Sequence, residues 1–237
     1  LQIGATPLIS FPAIADEFHI ANFYVKDDTR NPTGSLKDRA TDIGIQHATE
    51  LREDIIIAAS TGNAAASLSA LSAFYRKKAI ILAPASAPVA KLTQILQYGA
   101  MLYPVEGTYD DAFSLSVDVV KNLGFYSRST GSNPVLLEGK KTVALEIAEQ
   151  LDWIVPDIIF VPTGDGCILG GVYKAFYDLQ QLDWIEKMPK LVAIQSKGSS
   201  AIVDALESNS TITPVQAKTI ADSISVNNPA DGIKALR

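Results

Sequence analysis

The chain has 237 residues, of which 47% are hydrophobic and 19% are charged, and its formal net charge is −6. This composition is typical of a globular protein with a sizeable core, and without a basic cluster it excludes nucleic acid as an expected partner. A single cysteine excludes an internal disulfide, and no apolar run reaches the roughly 18 residues of a membrane span, so we expect a soluble, cytoplasmic protein without a membrane partner.

Short β-branched runs alternate with segments of helical spacing along nearly the whole chain. Six runs predict strands that are buried on both faces: 23–25, 55–58, 79–82, 101–105, 158–161 and 191–194. Between them, apolar residues recur at helical spacing, as in Leu92, Ile95 and Leu96 or Val143, Ile147 and Leu151. This alternation predicts an α/β fold in which helices cover parallel sheets.

Turn-forming residues interrupt the pattern at 31–34, 83–88 and 130–134. We expect the last of these to be where the chain crosses between two lobes. The chain begins with Leu1 and stops within a helical pattern at Arg237. We therefore expect a C-terminal continuation that carries part of the functional machinery.

The stretch NPTGSLKDR at 31–39 places Lys37 in the first turn of a predicted helix, where the helix dipole disfavours a cation. Gly34 permits a left-handed backbone, and Ser35 is a candidate N-cap. A solvated surface lysine is the ordinary interpretation, and the spacing of a Walker A loop is absent. A desolvated lysine at this position would have a lowered pKa, which suits an amine nucleophile.

A second loop, Ser60 to Ser67, follows the predicted strand at 55–58. Ser60 and Thr61 are candidate caps, and the small residues allow close approach of a ligand or another backbone. A capped helix packed tightly on a sheet is an equally good interpretation. It does not explain Asn63, because alanine would extend the helix better at that position.

A third loop, at 162–171, is rich in glycine and leads from the predicted strand at 158–161 into a helix. Backbone amides at such a helix N-terminus bind anions, so we expect a phosphate here. The spacing of Gly164, Gly166 and Gly170 misses the dinucleotide pattern, and the next strand ends at Gln195 without an acidic residue for a ribose.

The cysteine and the two histidines are not predicted to act as a nucleophile or as metal ligands. Cys167 is interpreted as a small side chain within the glycine-rich loop, since no histidine lies near it in the sequence. His19 and His47 lack the spacing of metal ligands, so no metal site is predicted.

Five segments together resemble a known family: GATPL at 4–8, NPTGSLKDR at 31–39, ASTGN at 59–63, NPVLLEGKKT at 133–142 and TIADSI at 219–224. They are similar to segments of the fold-type II pyridoxal-phosphate enzymes, and among these to the threonine synthases most closely. Leu36 stands where the family has phenylalanine. The order of lysine motif, asparagine loop and glycine loop is a highly specific combination.

The resemblance implies pyridoxal 5'-phosphate as cofactor and an amino acid as the small-molecule substrate. It implies that Lys37 forms a Schiff base with the cofactor and moves protons as acid and base, and that Asn63 binds the phenolic oxygen of the ring. Ser60 and Thr61 would meet the substrate carboxylate or phosphate. The cofactor phosphate would be held by the backbone of five residues: Gly164, Asp165, Gly166, Cys167 and Ile168.

The implied activity is that of a lyase in threonine biosynthesis, which converts O-phospho-L-homoserine and water into L-threonine and phosphate. Some threonine synthases have an arginine where Leu136 stands, so Arg128 or Lys140 would have to compensate, or the substrate is not a phosphate ester. Asp165 is a negative charge in a phosphate-binding loop, so its side chain must point away or cap the helix. The residue that faces the pyridine nitrogen is expected beyond Arg237.

The implied architecture is two-lobed, as in the tryptophan synthase β-like superfamily. We expect a small lobe at 41–133, and a large lobe formed by 1–40 and 134–237. A homodimer is the default oligomer for an enzyme of this size. Three alternatives remain open: a serine or threonine dehydratase or related ammonia-lyase, a non-catalytic paralogue or inactive fragment, and a nucleotide-binding domain.

Overall fold

A four-stranded parallel sheet occupies the first half of the chain in the computed structural model, which describes residues 1–236. Its strand order is β5-β4-β3-β6. The central strands pair in register, with Ile57 opposite Ile80, and both central strands are largely sealed from solvent. The strands are β3 (Ile55–Ala59), β4 (Lys78–Pro84), β5 (Met101–Val105) and β6 (Tyr126–Ser127).

Helices cover both faces of this sheet. On one face the core joins Ile45, Leu68 and Ile95 to the strands, and on the other face Ala112 packs against Ile57. The burial of these aliphatic side chains is the main favourable term that holds the layers together. The helices are α2 (Lys37–Glu50), α3 (Asn63–Phe74), α4 (Val89–Leu96) and α5 (Tyr109–Leu123).

The second half has a two-stranded parallel sheet, β7 (Ile158–Pro162) with β8 (Lys190–Ile194). Its core lies between the long helices α6 (Val135–Gln150) and α7 (Cys167–Gln181), where Phe176 is completely buried. The shorter elements are an antiparallel pair, β1 (Leu8–Ser10) with β2 (Tyr24–Lys26), and the helices α1 (Pro12–Glu17), α8 (Ala201–Glu207) and α9 (Gly232–Ala235).

The predicted α/β class with parallel sheets is confirmed, and a strand covers most of each of the six predicted runs. The prediction of burial on both faces holds for β3 and β4 but is wrong for β2, β5, β7 and β8, where Phe160 is 58% exposed. The physical reason is position, because those four strands lie at sheet edges. The run at 23–25 also pairs antiparallel, with a strand of three residues that the sequence pattern does not reveal.

Two general features concern function. Within residues 1–236, none of the helices is both long enough and apolar enough to span a bilayer. The same residues contain no cluster of three or more His, Cys, Asp or Glu side chains placed to hold a metal ion.

Candidate active site

Lys37 is the first residue of α2, directly after a tight turn. Gly34 takes the left-handed conformation at φ 73°, and its N–H donates to the carbonyl of Asn31 at 2.8 Å. The Ser35 hydroxyl accepts from Lys37 N at 3.1 Å, whereas the N-cap position is occupied by Leu36. The glycine prediction is confirmed, and the predicted Ser35 cap lies one residue too early.

Asp38 holds the turn against the helix. Its carboxylate is sealed from solvent and accepts from both Thr33 N at 2.7 Å and Thr33 Oγ1 at 2.6 Å. Such charge-assisted bonds to an ionised group are the strong class of hydrogen bond. They fix the segment that precedes Lys37.

Arg39 anchors the other side of the motif to distant parts of the chain. Its guanidinium contacts Asp28 at 2.8 Å and Glu146 at 2.5 Å, and the same Glu146 accepts from Ala5 N at 2.8 Å. Burial acts against ionisation of Glu146, but bonds from Arg39 and then Lys26 hold its pKa at about 2. Arg39 therefore joins the N-terminal GATPL segment, α2 and α6 into one frame that positions Lys37.

The pKa of Lys37 is lowered, as expected for a desolvated lysine. Loss of hydration is the largest cause, and the charge of Arg128 is the second, while Cys167 and Asp165 act in the opposite direction. A neighbouring cation that the sequence argument did not consider thus joins desolvation in favouring the neutral amine.

The Ser60 loop lies at the carboxyl end of β3. Ser60 N donates to Leu82 O, its hydroxyl accepts from Gly62 N at 3.2 Å, and α3 begins at Asn63. The N-cap of α3 is Gly62, so the predicted capping by Ser60 or Thr61 is wrong. Asn63 Nδ2 donates to Ser223 Oγ at 3.4 Å, which brings the TIADSI segment to this loop.

Thr41 connects the lysine motif with the helix that follows the Ser60 loop. Its hydroxyl donates to Lys37 O at 3.0 Å and accepts from Ser67 Oγ at 2.8 Å. It also accepts from Arg128 Nε at 3.0 Å, while Arg128 Nη2 donates to Lys37 O at 3.2 Å. The lysine motif, α3 and the end of β6 therefore meet at one buried point that the sequence did not predict, since Thr41 and Ser67 resemble ordinary helical residues.

The glycine-rich loop offers a row of free backbone donors. Gly166 has φ 91° and precedes the first residue of α7, whose fourth residue Gly170 already bonds back to Gly166 O. The preceding N–H groups, from Gly164 to Ile168, donate to no acceptor within residues 1–236. Consecutive unpaired amides at the N-terminus of a 15-residue helix form an anion-binding nest.

The acidic residue in this nest is directed at the C-terminal segment. Asp165 Oδ1 accepts from Ala230 N at 3.4 Å, and burial raises the pKa of this carboxyl. From the sequence, the Asp165 side chain is expected either to point away from the loop or to cap the helix. It does not cap α7, because the N-cap is Gly166 and no side chain within residues 1–236 caps that helix. Cys167 Sγ donates to Asp231 Oδ2 at 2.9 Å, and burial raises the thiol pKa to about 12, so it is not a thiolate nucleophile.

Comparison with known proteins gives a consistent family. The family described as "Pyridoxal-phosphate dependent enzyme" matches residues 1–237. The threonine synthase of Methanocaldococcus jannaschii is 39% identical over 236 residues, covering 98% of this chain and 58% of its own length. That of Methanosarcina acetivorans is 37% identical over 239 residues, covering 100% of this chain and 59% of its own. The chain thus spans less than two thirds of these relatives.

Solved structures share the fold at lower identity. An L-serine ammonia-lyase from Rhizomucor miehei has a TM-score of 0.82 at 23% identity, covering 98% of this chain and 73% of that one. The serine racemase of Dictyostelium discoideum has a TM-score of 0.80 at 24% identity, covering 97% and 72%. These values show a common fold and leave the reaction open.

Proposed function

The chain belongs to the pyridoxal-phosphate dependent enzymes, and from that premise we propose that it is part of a threonine synthase acting on O-phospho-L-homoserine and water. The observation that carries the proposal is that relatives at 39% and 37% identity over nearly the whole chain are both threonine synthases. The structural neighbours include deaminases, racemases and lyases, but at 16–24% identity they inform only the fold.

Pyridoxal phosphate fits the residues present. The free amides from Gly164 to Ile168 match the acceptor-rich phosphate of the cofactor, and Gly166 supplies a backbone conformation that other residues rarely adopt. Lys37 supplies an amine whose neutral form is favoured. When bound, the cofactor withdraws electrons from the substrate carbons through its conjugated ring.

Lys37 is the proposed catalytic residue. Its Nζ makes no hydrogen bond within residues 1–236, and its backbone carbonyl is fixed by Thr41 and Arg128. A neutral amine on a fixed backbone can attach the cofactor, accept a proton from the substrate and return it at another carbon. Burial, and after it the charge of Arg128, lowers the pKa of Lys37 and so favours release of that proton.

The other site assignments are part of the same proposal. Asn63 faces the ring oxygen of the cofactor, and Ser60 and Thr61 meet the substrate. We also propose a small lobe at 41–133, a large lobe of 1–40 and 134–237, a homodimer, and a cytoplasmic location.

A product assay on the full-length protein tests the reaction. We expect phosphate and L-threonine from O-phospho-L-homoserine, and no 2-oxo acid from L-threonine or L-serine. Release of a 2-oxo acid without release of phosphate would identify a dehydratase or related ammonia-lyase instead. Absence of both products from a cofactor-loaded protein would identify a non-catalytic paralogue.

A further inference from the structure

Two buried cations near Lys37 have no ionic partner. Arg128 is 5% exposed and Lys140 is 2% exposed, yet neither forms a salt bridge within residues 1–236. Arg39, buried to the same degree, contacts the carboxylates of Asp28 and Glu146. An unpaired buried charge is expensive, so its presence calls for a compensating anion.

Their hydrogen bonds to the protein are few and go to neutral acceptors. Arg128 donates from Nε to Thr41 Oγ1 and from Nη2 to Lys37 O, and Lys140 Nζ donates to Thr130 Oγ1 at 2.5 Å. Arg128 Nη1 has no acceptor within residues 1–236. Among these residues Ser72 Oγ is the only unpartnered polar side-chain atom that is completely buried, so Arg128 Nη1 retains some contact with solvent.

Both cations border the candidate active site. Arg128 follows β6 and donates to the backbone carbonyl of Lys37. Lys140 lies on α6 and packs closely against α7, since a Cβ added at Gly171 would lie 2.9 Å from the Cβ of Lys140. Lys140 Nζ donates to Thr130, which lies two residues after Arg128 in the chain, and Arg128 Nη2 donates to Lys37 O.

Leu136 adds no charge to this region. It is completely buried, and its side chain fills the space left by the missing side chain of Gly44 on α2. The position where some relatives of the proposed class carry an arginine is therefore part of the core here. An anion near this end of α6 has Arg128 and Lys140 as its buried cations.

Resting on the proposed function, we propose that Arg128 and Lys140 bind the phosphoryl group of the substrate, at a subsite beside the free amides of Gly164 to Ile168, which would hold the cofactor phosphate. A phosphate monoester carries about two negative charges at neutral pH and has three acceptor oxygens. The free Nη1 of Arg128 has two N–H donors for these oxygens, and the ammonium group of Lys140 supplies a second, point-like charge. One dianion would thus satisfy both cations.

The test uses the full-length, cofactor-loaded protein and three variants. Lys140→Gln and Arg128→Lys alter the subsite, and Lys141→Gln is the matched control, because that neighbouring lysine pairs with Glu138 and Asp178. The absorbance of the bound cofactor reports the dissociation constants of inorganic phosphate and of L-homoserine, which lacks the phosphoryl group. Thermal unfolding and cofactor retention are measured for every variant.

We expect Lys140→Gln to weaken phosphate binding roughly 10- to 100-fold, the range for a lost bond between charged groups, and to leave L-homoserine binding within about twofold. Arg128→Lys, which keeps the charge but not the planar fork, should give a smaller loss. The KM for O-phospho-L-homoserine should rise in parallel, while the control variant stays at wild-type values.

Three results would overturn the subsite: equal losses for phosphate and L-homoserine, loss of the cofactor with unchanged phosphate binding, or phosphate binding that no variant changes. The proposed function fails separately. If the wild type releases no phosphate from O-phospho-L-homoserine but binds inorganic phosphate in a Lys140-dependent way, the reaction is wrong and the subsite stands.

Discussion

Replacement of Lys140 by methionine should stabilise the ligand-free protein at neutral pH. Burial lowers the pKa of this ammonium group from 10.5 to about 7, helped by the charges of Arg128 and Lys37 and opposed by Cys167 and Asp231. Methionine has a similar length and no charge, so it removes the cost of burying the ammonium group and adds no cavity.

The size of the effect depends on pH. The unfolded chain carries a proton at Lys140 below 10.5, and the folded chain only below about 7, so wild-type stability rises as pH rises between these values. The shift corresponds to about 4 kcal/mol of stability lost at pH 7 and about 2 kcal/mol at pH 9. The lost bond to Thr130 offsets about 1 kcal/mol, so the expected gain is about 3 kcal/mol at pH 7 and about 1 kcal/mol at pH 9.

Denaturant unfolding in phosphate-free buffer at the two pH values measures this difference. Lys141→Met is the control, because Glu138 and Asp178 raise the pKa of Lys141 against the effect of its partial burial, and its loss should not stabilise. The inference that Lys140 is a buried, uncompensated cation would be refuted if Lys140→Met is less stable than wild type at pH 7 and the stability difference between the two proteins is the same at pH 9.

Three further predictions concern the frame and the cofactor site. Glu146 has a pKa of about 2 when folded and 4.5 as a free side chain, a shift of about 3 kcal/mol that solvent screening of this partly exposed group reduces to about 2 kcal/mol. This contribution to stability is complete above pH 4.5 and is lost as pH falls toward 2; acid unfolding should show this loss, and Glu146→Gln should abolish it. Borohydride reduction of the cofactor-loaded protein should label Lys37 alone, and Lys37→Ala should remove the label; a label on another lysine contradicts the assignment. Gly166→Ala forces a side chain into φ 91° and to 2.9 Å from Ala235, so we expect about 1–3 kcal/mol of destabilisation and weaker cofactor binding. Gly170→Ala is the control in equilibrium unfolding, because an added side chain inside α7 meets only Leu137, at an ordinary 3.9 Å.

The parts of the structure that the sequence predicts are those set by local pattern. The alternation of β-branched runs and helical spacing predicts the strands from β3 to β5, and the turn residues predict the positive φ of Gly34. The predicted burial of both faces is wrong for β2, β5, β7 and β8, because a hydrophobic run does not reveal whether its strand lies at the centre or the edge of a sheet. The contacts of Arg39 with Glu146, 107 residues away, have no local signal at all.

Arg39 and Lys140 show two ways in which one chain treats a buried cation. Arg39 receives two carboxylates, and its task is structural, since it joins three segments behind Lys37. Lys140 and Arg128 receive only hydroxyl and carbonyl oxygens within residues 1–236, although the same helix α6 supplies Glu146 to Arg39. A carboxylate placed beside Lys140 would relieve its burial cost but would also repel an incoming phosphate. The same unpaired charge at Lys140 therefore lowers the stability of the ligand-free protein and binds the phosphate. Lys140→Met should remove both the stability cost and the contribution to phosphate binding.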